Sequence, residues 1–138
     1  MDTVSKAIRS WNMSRIRSKD TAPELIVRRL VHAGGFRYRL HVRGLAGRPD
    51  LVFPRLRKVI FVHGCFWHRH HCANGRVVPG TRTEFWTAKF EGNAARDAAA
   101  RRQLRREGWK VLVVWECETR VRTLQRLQSR LLRFLSKP

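Results

Sequence analysis

The chain has 138 residues, enough for a single domain with its own core and no need of disulfide support. Its 30 Lys+Arg against 10 Asp+Glu leave a formal net charge of +20, while 43% hydrophobic residues argue for a folded protein rather than an extended polycation. No apolar run approaches the roughly 18–20 residues that span a bilayer, and the first residues lack the apolar stretch of a secretory signal, so a cytoplasmic compartment is expected. A surface this basic and this rich in Arg expects a polyanion, with nucleic acid well ahead of a membrane surface.

Residues 1–20 read as a basic arm (Lys6, Arg9, Arg15, Arg17, Lys19), partly helical around Ser5–Arg17, ahead of one domain over 21–138. Thr21-Ala22-Pro23-Glu24 reads as a helix start, with Thr at the N-cap, Pro in the first turn and Glu at the third helical position. That helix carries Leu25, Ile26, Leu30 and Val31 and stops at Gly34-Gly35. Phe36–Val42 alternates apolar and basic residues as a strand does, and Asp50–Phe53 reads as a second, short strand. After a turn at Pro54–Arg57, the apolar run Lys58–His63 predicts a buried central strand.

A long loop follows from Gly64 to about Thr83. Glu84–Glu107 then predicts a helix, broken near Gly92 and capped by Gly108. Trp109–Trp115 predicts another buried strand, with Trp109 and Trp115 in the core. A last helix from Thr119 to Ser136 should face inward through Leu124, Leu127, Leu131 and Phe134 and outward through Arg122, Arg126, Arg130 and Arg133. The expected architecture is an α/β sandwich, a central mixed sheet flanked by helices.

The loop opens on Cys65-Phe66-Trp67-His68-Arg69-His70-His71-Cys72, two thiols, three imidazoles and two aromatics in eight positions. Three cysteines cannot all pair within one chain, and Cys65, Cys72 and Cys117 with one imidazole suit a tetrahedral Zn²⁺. The sequence leaves open whether His68, His70 or His71 completes that set. Asp50 stands at the tip of one strand, and the neighbouring strand ends in His63. A carboxylate and a second group on adjacent strand tips are what a Mg²⁺-dependent phosphodiesterase needs to hold its ion and its water. The Phe66-Trp67 pair suits stacking on bases.

The segments Gly47-Arg48-Pro49-Asp50, Val59 to His68, Thr81-Arg82-Thr83-Glu84-Phe85-Trp86 and Val113-Val114-Trp115-Glu116-Cys117 resemble the signature blocks of the very-short-patch-repair endonucleases. The likeness runs from Arg9-Ser10-Trp11-Asn12-Met13 to Cys117. It implies a restriction-endonuclease-like fold with a structural zinc site. It also implies an enzyme that nicks duplex DNA 5′ of the thymine in a T:G mismatch, the lesion left by deamination of 5-methylcytosine.

Carried over by position, the resemblance makes Asp50 the Mg²⁺ ligand, joined by the backbone carbonyl of Val62. His63 and His68 serve the attacking water and the leaving group, with His68 favoured for proton transfer. Glu24 matches an acidic residue near the metal, beside its role as a helix cap. Ordinary restriction nucleases place a Lys after the second acidic position, whereas this chain has Phe61-Val62-His63 there. The resemblance assigns Zn²⁺ to Cys65, His70, Cys72 and Cys117. It gives Phe66, Trp67 and Trp86 as wedges beside the mismatch, with Met13 of the arm and Arg69 also on the DNA. A monomer suffices for a single-strand nick, the setting is the bacterial nucleoid, and mismatch-repair accessory proteins are candidate partners. Two other readings remain: a site- or structure-specific nuclease of the same fold without T:G preference, and a non-catalytic zinc-stabilised DNA-binding protein.

Overall fold

The computed structural model describes residues 20–77 and 79–138, so nearly all of the basic arm, Met13 included, lies outside the described residues. Thr21 starts helix α1 (Ala22–Ala33) from an extended backbone, its Oγ1 accepting the Glu24 N–H at 3.4 Å, with Pro23 in the first turn. The Glu24 carboxylate reaches back one residue further than a capping box would, to the Asp20 N–H at 2.8 Å. The helix ends at Gly34, where Gly35 takes the left-handed backbone (φ 90°) that turns the chain away.

Three strands form one sheet in the order β1 (Leu51–Phe53), β2 (Lys58–His63), β3 (Lys110–Trp115). β1 runs antiparallel to β2 with Leu51 opposite Ile60. β3 runs parallel to β2 with His63 opposite Trp115. A parallel neighbour needs a crossover, and α2 (Thr83–Arg106) supplies it. Alternation along β2 sends Ile60 to one face and Val59 and Phe61 to the other. On the first face α1 and the last helix, α3 (Leu124–Ser136), pack Val27, Val31, Leu127, Leu131 and Leu135 against Leu51, Phe53, Ile60 and Val114. On the second, Leu104 of α2 and Trp109 cover Val52, Val59 and Phe61. Burial on both faces is why β2 reads as an unbroken apolar run.

The predicted strand Phe36–Val42 is reduced to one antiparallel bridge, in which Arg39 and Val52 exchange hydrogen bonds of 2.8 and 3.0 Å. Phe36, Tyr38 and Leu40 do pack on the core as their alternation requires, but His41 turns left-handed (φ 54°) and β1 offers only three residues to pair with. α2 is continuous through Gly92 for 24 residues, because the alanines around it offset a glycine cost of about 1 kcal/mol. α3 begins at Leu124, later than predicted. Thr119 and Thr123 spend their hydroxyls on the carbonyls of Glu116, Cys117 and Glu118, and the chain there forms two 3₁₀ turns. The buried seam of α3 is Leu127, Leu131 and Leu135, with Leu124 and Phe134 only half-buried.

Lys58 is buried at the start of β2, and its ammonium donates to the carbonyls of Phe134 (2.6 Å) and Lys137 at the end of α3. Burial, with Lys110 beside it, holds its pKa below the ordinary lysine value. A cation on the last carbonyls of a helix suits the negative end of its dipole. No helix among the described residues is long and apolar enough to cross a membrane.

Candidate active site and metal centre

One edge of the sheet, where β1 begins and β2 and β3 end, gathers most of the residues singled out from sequence. Asp50 precedes β1 and continues the ladder by donating its N–H to Ile60 O at 3.0 Å. Its Oδ2 accepts the Val62 N–H at 2.6 Å. Burial raises the Asp50 carboxyl to a pKa of about 7. The Val62 N–H opposes that rise, Glu24 reinforces it, and Arg28 and His68 pull against it. Glu24, only 4% exposed, lies in the first turn of α1 and accepts from Arg28 Nη2 (3.3 Å) as well as from Asp20 N–H. It therefore caps its helix and stands within electrostatic reach of Asp50.

His63 ends β2 and stacks on His68, with centroids 3.9 Å apart and planes 7° from parallel. His68 Nδ1 lies 2.5 Å from Oδ2 of Asp97, a residue of α2 absent from the sequence-based site. Burial, together with the charges of His68 and Arg101, lowers His63 to a pKa of about 4, so it is neutral at physiological pH; Asp97 pulls the other way. Burial pushes the Asp97 carboxyl up, but the hydrogen bond and charge of His68, with His63 and Arg101, bring it below the ordinary carboxylate value. The ligand-capable atoms of His63, His68 and Asp97 lie within 4.8 Å of one another. The rings are parallel, however, so their in-plane lone pairs run side by side instead of converging. Chemically, such a trio can orient and pass a proton at His68.

Asp97 could have been found from sequence. Trp86, Phe90, Asn93, Asp97, Ala100 and Leu104 recur at three- and four-residue steps, the spacing of one helix face. In the structure Phe90 meets Phe66, Asn93 donates to Trp67 O at 3.2 Å, Asp97 meets His68 and Leu104 enters the core. Polar residues in that stripe mask its amphipathicity, and an Asp in mid-helix, against its propensity, was the available signal.

The second centre brings Cys65, His70, Cys72 and Cys117 together, their donor atoms all within 4.8 Å. His70 Nδ1 is 3.6 Å from Cys117 Sγ and 3.9 Å from Cys65 Sγ. A tetrahedral ion with bonds of about 2.0–2.3 Å separates its ligands by roughly 3.5–3.8 Å, so the four donors fit one such cation. His68 is committed to Asp97 and His71 is exposed, so of the three histidines in the loop it is His70 that meets the thiols. Burial, with Cys72 and Cys117 alongside, pushes the Cys65 thiol to about 12 even though the Cys117 N–H donates to its sulfur at 3.4 Å. Glu116 accepts the Cys65 N–H (3.2 Å), and Glu118, doubly held by Arg130 at 2.8 Å, accepts the Trp115 N–H (2.9 Å). Gly75 is required because a Cβ there would sit 1.9 Å from the His70 carbonyl oxygen.

Trp115 corrects a sequence expectation. It is half-buried rather than core, stacked on His70 (4.3 Å, 25°) and edge-on to His63 (5.3 Å, 75°), and it walls one centre from the other. Phe66, Trp67 and Trp86 are half-buried and pack together with Phe90 at centroid separations of 5.2 to 6.2 Å. The Arg69 guanidinium lies 4.2 Å from the Phe90 centroid and donates to Val77 O at 2.6 Å, which ties it into this cluster.

A family model described as DNA mismatch endonuclease Vsr matches residues 1–74. The chain is 50% identical over 117 residues to the type II nicking enzyme V.XorIIP of Xanthomonas oryzae pv. oryzae, covering 85% of each chain. It is 47% identical over 121 residues to the DNA mismatch endonuclease Vsr of Escherichia coli, covering 88% of this chain and 77% of that one. The type II nicking enzyme V.NmeAIP of Neisseria meningitidis is 40% identical over 125 residues, 91% of this chain and 89% of the other.

Proposed function

The chain belongs to the DNA mismatch endonuclease Vsr family of strand-nicking enzymes, and from that premise we propose that it is a Mg²⁺-dependent endonuclease that nicks duplex DNA 5′ of the thymine in a T:G mismatch left by deamination of 5-methylcytosine. The observation that carries this reading is the placement, at one end of the sheet, of the half-buried Asp50 carboxylate within electrostatic reach of His68, which stacks on His63 and pairs with Asp97. Asp50 and the Val62 carbonyl hold the ion. In an extended strand a residue's N–H and C=O point to the same edge, so Val62, whose N–H reaches Asp50, turns its carbonyl that way too. Glu24 adds negative charge beside them. Bound there, Mg²⁺ supplies polarisation of the scissile phosphate and a more acidic attacking water.

The protein's own groups orient and move protons. The Asp97 carboxylate takes the Nδ1–H of His68, which fixes the tautomer with Nε2 free to accept a proton from water or return one to the leaving oxygen. Neutral His63 keeps His68 in place by stacking. Zn²⁺ held by Cys65, His70, Cys72 and Cys117 is structural: with four protein ligands it keeps no open position. Phe66, Trp67 and Trp86 wedge beside the mismatch, aided by Met13 of the arm, with Arg69 bracing them from behind. Stacking of roughly 1–3 kcal/mol per base offsets the unstacking of a weak T:G step.

The same reading gives a restriction-endonuclease-like domain over 21–138, preceded by the arm 1–20 on the DNA. It acts as a monomer in the bacterial cytoplasm at the nucleoid, with mismatch-repair accessory proteins as candidate partners. The names of the type II nicking enzymes favour one alternative, a nicking nuclease set by sequence context rather than by the mismatch. A strand-resolved assay with and without Mg²⁺ decides, using T:G duplexes in several contexts beside their T:A and C:G parents. A nick confined to the 5′ side of the mismatched thymine is expected. Equal cutting of every duplex moves the function to the alternative, and tight binding with no cutting refutes both.

A further inference from the structure

Arg28 sits one helical turn beyond Glu24 on α1, with 11% of its side chain exposed. Its Nη2 donates to Asp20 Oδ1 at 2.7 Å and to Glu24 Oε2 at 3.3 Å. Its Nε is buried and finds no hydrogen-bond partner among the described residues. A guanidinium is a planar fork of five donors shaped to grip a carboxylate or a phosphate with two parallel bonds. Here one nitrogen is shared between two carboxylates while the neighbouring donor of the same fork is out of water and without a partner among the described residues. The group is satisfied in charge but not in geometry, beside the carboxylate proposed to hold the metal.

We propose that Arg28 is a substrate-operated gate on the metal site: in the free protein its guanidinium stands as a resident cation on Glu24, and an arriving DNA phosphate draws it away, so that Glu24 and Asp50 accept a divalent ion together with the substrate rather than before it. The inference rests on the reading of Asp50 as the metal's carboxylate with the Glu24 charge beside it, and extends that reading by making Glu24 a second carboxylate for the ion. Without a cation buried Glu24 and half-buried Asp50 would repel each other, and Arg28 supplies the missing charge. A divalent ion added while Arg28 remains would meet a like charge in a site of low polarity. A phosphate changes that balance, because it brings one negative charge and an acceptor for both idle and engaged donors of the fork. The fork then closes on phosphate, and the carboxylate it releases is free for the ion.

Mn²⁺ serves as the probe, titrated by electron paramagnetic resonance with and without a T:G duplex already nicked at the expected position. The unmodified protein should bind Mn²⁺ weakly alone and at least about ten-fold more tightly with the duplex. Arg28→Met keeps the apolar stem and removes the charge, so it should bind Mn²⁺ about ten-fold more tightly without DNA and gain little from the duplex. Arg28→Lys, which retains the charge, should keep the original pattern. An Arg28→Met protein with unchanged far-UV dichroism and zinc content that binds Mn²⁺ no better than its parent overturns the gate.

A second measurement needs no variant: the Arg28 Nε–H resonance of the unmodified protein should shift when duplex is added without metal, and an unmoved resonance is equally fatal. Asp50→Ala separates the two levels of the argument. Mn²⁺ binding that survives this change overturns the metal reading itself. Binding that needs Asp50 but ignores Arg28 overturns only the gate.

Discussion

Replacing Asp50 by Asn removes a negative charge while keeping the volume and an acceptor for the Val62 N–H, now 2.6 Å from the carboxylate. Burial raises the Asp50 pKa from 3.8 to about 7. Between those two values the folded state holds a proton that the unfolded state has lost, so this group costs stability progressively as the pH rises through that window. At about 1.36 kcal/mol per unit the gap amounts to roughly 4 kcal/mol, and relaxation around the charge brings the expected effect to about 2–4 kcal/mol. In magnesium-free buffer the Asn variant should match its parent near pH 4, become the more stable of the two as the pH rises, and hold a constant lead above pH 7. Urea denaturation at intervals from pH 4 to 8 measures this, with no chelator present so that the ion proposed for the cysteine cluster is retained. His63 and Asp97 titrate in both proteins and largely cancel in the difference. Mg²⁺ should narrow the lead by stabilising only the parent, while nicking by the variant is lost throughout. A variant less stable than its parent at pH 7.5, or a lead that does not vary with pH, refutes the assignment of a buried, destabilising carboxylate.

Asp97→Asn should slow nicking roughly 10- to 100-fold, with duplex affinity unchanged and an altered pH–rate profile, since it loosens the orientation of His68. Full activity would remove Asp97 from the site. Cys117→Ser should lower the metal content below one ion per chain and lower Tm; elemental analysis that finds zinc retained would contradict the ligand set. Trp67→Ala should weaken binding to T:G duplexes by about 1–3 kcal/mol while sparing matched DNA, and an equal loss on both shows that the residue is not a wedge.

The sequence was most readable where one physical demand governs a segment. The α1 start followed from Thr21, Pro23 and Glu24, and β2 from an apolar run that only two-sided burial explains. The four metal-ligand candidates were visible as types; the residues alone left three histidines open and the resemblance gave His70, whose Nδ1 the loop geometry turns toward the thiols while it commits His68 elsewhere. Legibility failed where tertiary partners decide the outcome. Phe36–Val42 has the alternation of a strand, yet its pairing depended on how much of β1 was there to receive it. The late start of α3 depended on threonine hydroxyls choosing local carbonyls. Asp97 was hidden because its helix face mixes aromatic, polar and aliphatic residues, so no apolar stripe announced that the face was buried against a loop 29 residues away.

The end of β2 explains why the two centres must be built together. Four consecutive residues carry four tasks: Val62 holds Asp50 through its N–H, His63 supports His68 by stacking, Gly64 accepts the His68 N–H on its carbonyl at 3.1 Å, and Cys65 anchors the Cys/His cluster. At about 3.3 Å per extended residue these tasks share roughly 10 Å of backbone. The loop that follows has little apolar burial of its own; Cys65 is the one fully buried hydrophobic residue between Phe61 and Phe90 among the described residues. The proposed ion on Cys65, His70, Cys72 and Cys117 would tie that loop to the turn after β3. His68, midway between Cys65 and Cys72, is then fixed from both sides and meets Asp97. The sheet core of Leu51, Ile60 and Val114 owes nothing to the ion. On the proposed reading the metal centre would set the position of His68, the proposed proton-transfer residue, while the packed sheet sets the position of the Asp50 carboxylate.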